Sequence, residues 1–275
     1  MNNVLKQVYL NKPECVINFP QWLLSSQKIN DYRAMSRLAM VEIAGRDSVA
    51  AAIKAVKENG FTDLIPTYAY TGTEHGPWLS VEQAVIRMES RLPETKIHDL
   101  LVLGSPAFWQ ALNGRFITEL ISRYGFYVPC LGCHLYLHSV RIPLSRMLGG
   151  APIISGEREL HNGTIKLNQI SEALNSYERL AGEFNTELIM PIRNISKGSL
   201  IRDILSFQWE EGGEQLGCVL SGNYRTADGK VGIGSRQVQK YLDEFAYPLA
   251  RKIVRAYLEG RAPNHLKIAT ELIGP

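Results

Sequence analysis

The chain has 275 residues and a mass of 30.8 kDa, room for one large domain or a medium domain with an appendage. With 45% hydrophobic and 21% charged residues it is of ordinary globular composition, which excludes a disordered or fibrous chain. A net charge of +3 neither marks nor excludes a nucleic-acid binder, and four cysteines (Cys15, Cys130, Cys133 and Cys218) exclude a disulfide-stapled extracellular scaffold.

Residues 1–10 are polar and lack the charged-then-apolar order of a secretory signal, and residues 1–34 read as an appended segment. The apolar run 37–44 predicts a first strand. Helical spacing of Val49, Ile53 and Val56 predicts a helix from Asp47 to its stop at Gly60. A second strand is expected over 64–70, a polar turn over 71–76, a helix over 81–92 and a third strand over 100–103. Helices are expected over 108–124 and over 130–148, the latter interrupted at Pro143. Strands follow at 151–155 and 187–192, then a helix over 199–205 and a long amphipathic helix over 237–258.

Short solid apolar runs alternating with helices are the pattern of βαβ units on a parallel sheet buried on both faces. The expected fold is therefore α/β, a doubly wound, mostly parallel five-stranded sheet. Its core spans 35–205, with a helical extension over 206–275. No apolar run approaches the roughly 20 residues of a membrane span, so the expected location is the cytoplasm.

Ligands of open parallel sheets bind beyond the carboxyl ends of the strands, near helix N-termini. The first such junction is Ile43-Ala44-Gly45-Arg46-Asp47-Ser48. Its small residues permit a tight turn and its helix-start amides can hold an anion, although Asp47 and Ser48 also suit a plain helix start. Neither a Walker A loop nor a GxGxxG fingerprint is present here.

The junction resembles the SGGxDS signature of the PP-loop superfamily, the N-type ATP pyrophosphatases. Gly45, Asp47 and Ser48 match, while Ile43 and Ala44 stand where the family has Ser and the first Gly. Ser155-Gly156-Glu157 resembles the turn after the family's fourth strand, and Pro191-Ile192-Arg193 followed by Lys197 its Pro-Leu-Arg stretch. The resemblance covers about residues 35–205. It implies a HUP-like nucleotide-binding domain, ATP with Mg2+, and cleavage of ATP to AMP as a carbonyl oxygen is adenylated. It further implies nucleotide contacts from Ala44, Gly45, Arg46, Asp47, Ser48, Tyr70, Gly156, Glu157 and Arg193, with Asp47 and Lys197 in catalysis.

Cys130-Leu131-Gly132-Cys133 enters a helix with both thiols on one side of a turn. By spacing alone the pair suits a redox couple, two buried thiols, or a zinc site completed by His134 or His138 and Cys218. With the distant Cys218 added, the arrangement resembles the iron–sulfur branch of the PP-loop superfamily, the TtcA- and TtuA-type tRNA 2-thiolation enzymes. That resemblance implies a [4Fe–4S] cluster on Cys130, Cys133 and Cys218. It also implies an AMP-forming sulfur transferase acting on a small molecule, a nucleobase or tRNA, as a homodimer, with a donor left open. A zinc-bearing PP-loop ligase of the amidotransferase type and a non-hydrolysing adenine-nucleotide sensor are the alternatives.

Cys15 reads as an ordinary thiol. Glu74-His75 at the sheet edge is a candidate acid or base, or a surface turn. The carboxylates around Glu157 suit Mg2+, and Lys166 is a second candidate pyrophosphate partner. Ser221 to Arg225 is expected to line the site. Arg141 and Arg146 are expected either to reach a ligand or to form a solvated helix face. Tyr241, Phe245 and Tyr247 have the spacing of a packing stripe.

Overall fold

Five residues buried on both faces, Leu38–Glu42, form β1 and take the middle of a parallel sheet. In the computed structural model, which describes residues 24–209 and 214–274, β1 pairs with β2 (Asp63–Ala69) and with β6 (Ile153–Ile154). The register sets Met40 beside Ile65 and Ile153, so apolar side chains stack across three strands. Two short strands share the outer edge of β2: β4 (Lys96–Ile97) pairs with its start and β5 (Leu101–Leu103) with its end. On the far edge β7 (Leu188–Ile189) pairs with β6. With β4 and β5 counted as one interrupted strand, the positions run third, second, first, fourth, fifth, the order of a doubly wound sheet. The progression reverses between β1 and β6, and a crevice opens there at the carboxyl ends.

One face is covered by α2 (Arg46–Asn59), α3 (Leu79–Arg91) and α9 (Gly198–Leu205), around Val41, Ile53, Met88 and Ile201. As its sequence predicts, α2 stops at Gly60, whose φ of 69° makes a left-handed cap that glycine adopts without a Cβ penalty. The other face carries α4 (Pro106–Asn113), α5 (Ile117–Tyr124), α6 (Pro129–Ser139), α7 (Ile142–Met147) and α8 (Ser171–Glu183). The helix expected over 108–124 is thus two, capped at Gly114, and the one over 130–148 is also two, α6 and α7, with Pro143 in the first turn of α7.

The C-terminal helices α10 (Ser235–Tyr241), α11 (Tyr247–Leu258) and α12 (His265–Ile273) pack on that second face. α10 runs into α11 through one π turn, Leu242–Ala246. Phe245, Leu249 and Ile253 share one continuous core with Met40, Phe108 and Leu135. The same core takes in Ile29 and Tyr32 of α1 (Ser26–Arg33), so the end of the segment read as an appendage packs with the sheet. Cys15 lies outside the described residues. Among the described residues, no helix is long and apolar enough to cross a membrane.

Arg141, between α6 and α7, is only 1% exposed and neither reaches a cavity nor faces solvent. Its guanidinium donates to Thr67 Oγ1 at 2.8 Å and to the Thr67 carbonyl at 3.2 Å, and it also bonds the Leu137 carbonyl. It therefore ties the helix that carries the CxxC pair to the second strand. Arg141→Ala removes these bonds and leaves buried acceptors unpaired. The expected loss in urea denaturation is on the order of 3 kcal/mol, whereas Arg146→Ala at an exposed position changes little.

Candidate functional site

The turn after β1 is drawn tight by one hydroxyl. Ser48 Oγ accepts from the amides of Ala44 at 3.0 Å and Gly45 at 3.1 Å, and donates to the Gly45 carbonyl at 2.7 Å. Two loop amides are thereby occupied within the turn. Anion binding falls to the first-turn amides of α2, which no helix can satisfy internally, and to nearby cations. From the β6 side Gly156 closes on this turn. A Cβ there would stand 2.6 Å from Ser48 N and 2.8 Å from the Asp47 carbonyl carbon, so only glycine fits.

The crevice holds a cavity of about 400 Å3 lined by Glu42, Ala44 to Ser48, Gly156, Glu157, Trp209, Gln215 and Leu216, among others. A second cavity, of about 320 Å3, adjoins it and is lined by Cys130, Cys133 and Cys218 with Thr73, Asn168 and Tyr224 among others. His134, Lys166 and Gln169 line both. Both volumes lie in the range of small-molecule sites.

Glu157 sits between α6 and the sheet edge and is almost fully buried. Its Oε1 accepts from His134 Nδ1 at 2.6 Å and faces His138 Nε2 at 3.3 Å, while Oε2 accepts from Gln169. Burial alone would raise its pKa, but His134 and then His138 hold it well below the usual carboxylate range. The same pairing overcomes desolvation at His134 and raises the imidazole. Since both Glu157 oxygens are occupied by protein donors, this carboxylate serves the frame of the crevice and is a poor Mg2+ ligand. Nearby, Glu42 accepts from Ser155 Oγ at 2.9 Å. Asp47 lies between Arg46 Nε at 3.0 Å and Arg158 Nε at 3.4 Å.

The third cysteine comes to the cavity of the two thiols of α6 on a ribbon that the sequence pattern did not disclose. β8 (Gly217–Cys218) pairs antiparallel with β3 (Glu74–His75), setting Cys218 opposite Glu74. Cys218 Sγ lies 3.2 Å from Thr73 Oγ1, and the indole N–H of Trp109 donates to Cys133 Sγ at 3.3 Å. All three cysteines are free thiols. Burial, followed by the neighbouring Cys218, pushes the Cys130 thiol up to about 11. Burial likewise pushes Cys133 up despite the Trp109 bond. Both shifts favour the neutral thiol at Cys130 and Cys133, and a bound metal is what deprotonates a coordinating thiol.

The residue types are those an iron–sulfur cluster takes: three cysteines line this cavity, two from α6 and one from the ribbon, and an indole N–H is directed at one sulfur. Among the described residues, no group of three or more His, Cys, Asp or Glu side chains is placed to hold a metal ion.

Other expected site residues stand apart from these cavities. Arg193 pairs with Glu159 and Glu178, both at 2.9 Å, and with Asn175 at 2.7 Å, and lines neither cavity. Lys197 is exposed at the start of α9. Tyr70, beyond β2, stacks obliquely near Trp78 at 5.9 Å and is not a lining residue of either cavity. Ser221, Gly222, Tyr224 and Arg225 do line the cysteine cavity, as expected. Lys166 lines both cavities; desolvation and the nearby Arg158 and Arg46 keep its pKa below the ordinary lysine value despite Asp47 and Glu157. Sequence reasoning missed His134 as a bridge, Gln169 and Trp209, because none lies in a motif.

No family model matches the chain. The chain is 42% identical over 246 residues to the uncharacterized protein MJ0009 of Methanocaldococcus jannaschii, across 87% of each sequence. The chain belongs to that protein's family. For this member of the family, two substitutions probe the crevice. Gly156→Ala drives a methyl into the backbone of the Ser48 turn and is expected to lower stability by about 1–3 kcal/mol in chemical denaturation. Glu157→Gln tests the buried charge. Because the folded pKa is depressed, Glu157 contributes stability above its ordinary value of 4.5, and that contribution is lost as pH falls through and below it. The stability gap between wild type and variant should accordingly be widest at neutral pH and shrink in acid.

Proposed function

We propose that this protein is an AMP-forming, ATP-dependent sulfur transferase with a HUP-like PP-loop domain, of the iron–sulfur branch. The observation that carries the reading is the shared wall of His134, Lys166 and Gln169 between the turn cavity and the cavity of the three cysteines. An enzyme that activates a carbonyl with ATP and then delivers sulfur to the same carbon needs these two functions side by side.

ATP enters the turn cavity as its Mg2+ complex, its phosphates facing the first-turn amides of α2 together with Arg46 and Lys166. The carbonyl oxygen of an amide-like acceptor attacks the α-phosphorus, and the bond to the bridging oxygen breaks as pyrophosphate leaves. Hydrosulfide then adds to the activated carbon, and the C–O bond breaks. AMP departs with the former carbonyl oxygen, leaving a thiocarbonyl. Cys130, Cys133 and Cys218 would hold a [4Fe–4S] cluster, which when bound supplies an iron with an open position for the incoming sulfur. Cavities of this size take a small acceptor or one extruded nucleobase.

Anaerobic purification tests the reading. Brown protein with iron and acid-labile sulfide in cluster proportion is expected. Cys130→Ala, Cys133→Ala and Cys218→Ala should each lose the iron and the sulfur transfer. Their affinity for AMP should stay within about twofold of wild type, as for independent sites. A colourless protein loaded with zinc would overturn the cluster, and a wild type that binds neither ATP nor AMP would overturn the nucleotide assignment.

A further inference from the structure

The turn cavity is lined by chemically different groups. Glu157, His134, Lys166 and Gln169 make it polar where it meets the cysteines, whereas Trp209 and Leu216 bring apolar surface to it. Both belong to the apolar cluster on the α2–α3 face, Trp209 as a buried member and Leu216 packed against it. Apart from the imidazole of His134, Trp209 is the only aromatic ring among the described residues lining this cavity.

Trp209 is held rigidly. The Arg87 guanidinium lies 4.7 Å from its ring centroid, and Phe207 stacks beside it at 6.1 Å. Arg87 is itself fixed by a two-point ion pair with Glu214, one contact being 2.8 Å. A clamped indole loses little freedom when a ligand arrives. Although Trp209 is 7% exposed, its indole N–H has no hydrogen-bond partner. What Trp209 offers the cavity is therefore its ring, as a lining residue beside Leu216.

Resting on the nucleotide reading above, we propose that Trp209 is the nucleobase platform of the turn cavity. The base lies against Trp209 and Leu216, and the phosphate is directed to the Lys166 end. A nucleotide so placed carries its reactive phosphorus toward the cavity of the cysteines, so Trp209 acts as a positioning and specificity residue. Aromatic surface recognises the flat faces of a base and ignores a bare sugar phosphate.

Calorimetry with AMP and with ribose 5-phosphate, which has the same phosphate and no base, tests the assignment on wild type, Trp209→Phe and Trp209→Ala. Wild type is expected to prefer AMP by about tenfold or more, the size of one base–aromatic contact. Trp209→Ala should lose that preference while binding ribose 5-phosphate as wild type does, which also shows that the variant is folded. Trp209→Phe, which retains a ring and lacks the donor, should fall between. If wild type prefers AMP and Trp209→Ala keeps the full preference, or if wild type binds the two ligands equally, the platform is overturned while the nucleotide site stands. If wild type binds no AMP, the nucleotide reading itself fails and takes this assignment with it.

Discussion

A carboxylate removed from water must be paired, and the candidate site is organised by how Glu157 meets that demand. Its partners come from two directions: His134 and His138 from the helix that carries the CxxC pair, and Gln169 from the segment before α8. One buried charge therefore fixes the rotation of α6 against the end of the fourth strand position. That rotation decides where Cys130 and Cys133 face. Arg141, at the far end of the same helix, repeats the arrangement with opposite sign by bonding the second strand. Between them, the two buried charges hold the cysteine helix against the sheet edge.

The two cores explain why the crevice is rigid. Alternate residues of β1 enter opposite apolar clusters, Met40 on one side, Ala39 and Val41 on the other. The turn that follows cannot shift without disturbing both. Gly156 removes the remaining slack, since its backbone touches the backbone of the turn.

Much of this architecture was legible in the sequence because it rests on local periodicity. The solid apolar runs marked the sheet, and Gly60 marked the end of α2. The division at Gly114 was not recognised, although a glycine in a helical pattern is a standing break signal. α8 was overlooked even though Ala173, Leu174, Tyr177, Leu180 and Ala181 carry helical spacing. The loop of residues 44–48 and the three cysteines stood out in the sequence, and each group lines a cavity. What joins them was not, for Glu157, His134 and Gln169 come from three segments whose meeting depends on packing. The ribbon of β3 and β8 has two residues per strand, too few for any alternation to register.

That ribbon also gives the third cysteine a different kind of support from the first two. Residues 74 and 218 are joined across most of the domain, so closing this contact costs chain entropy that nearby residues do not repay. An isolated two-stranded pairing of this length is marginal in water. The third sulfur thus reaches the cavity on a pairing of two residues per strand, whereas the other two are carried by an eleven-residue helix.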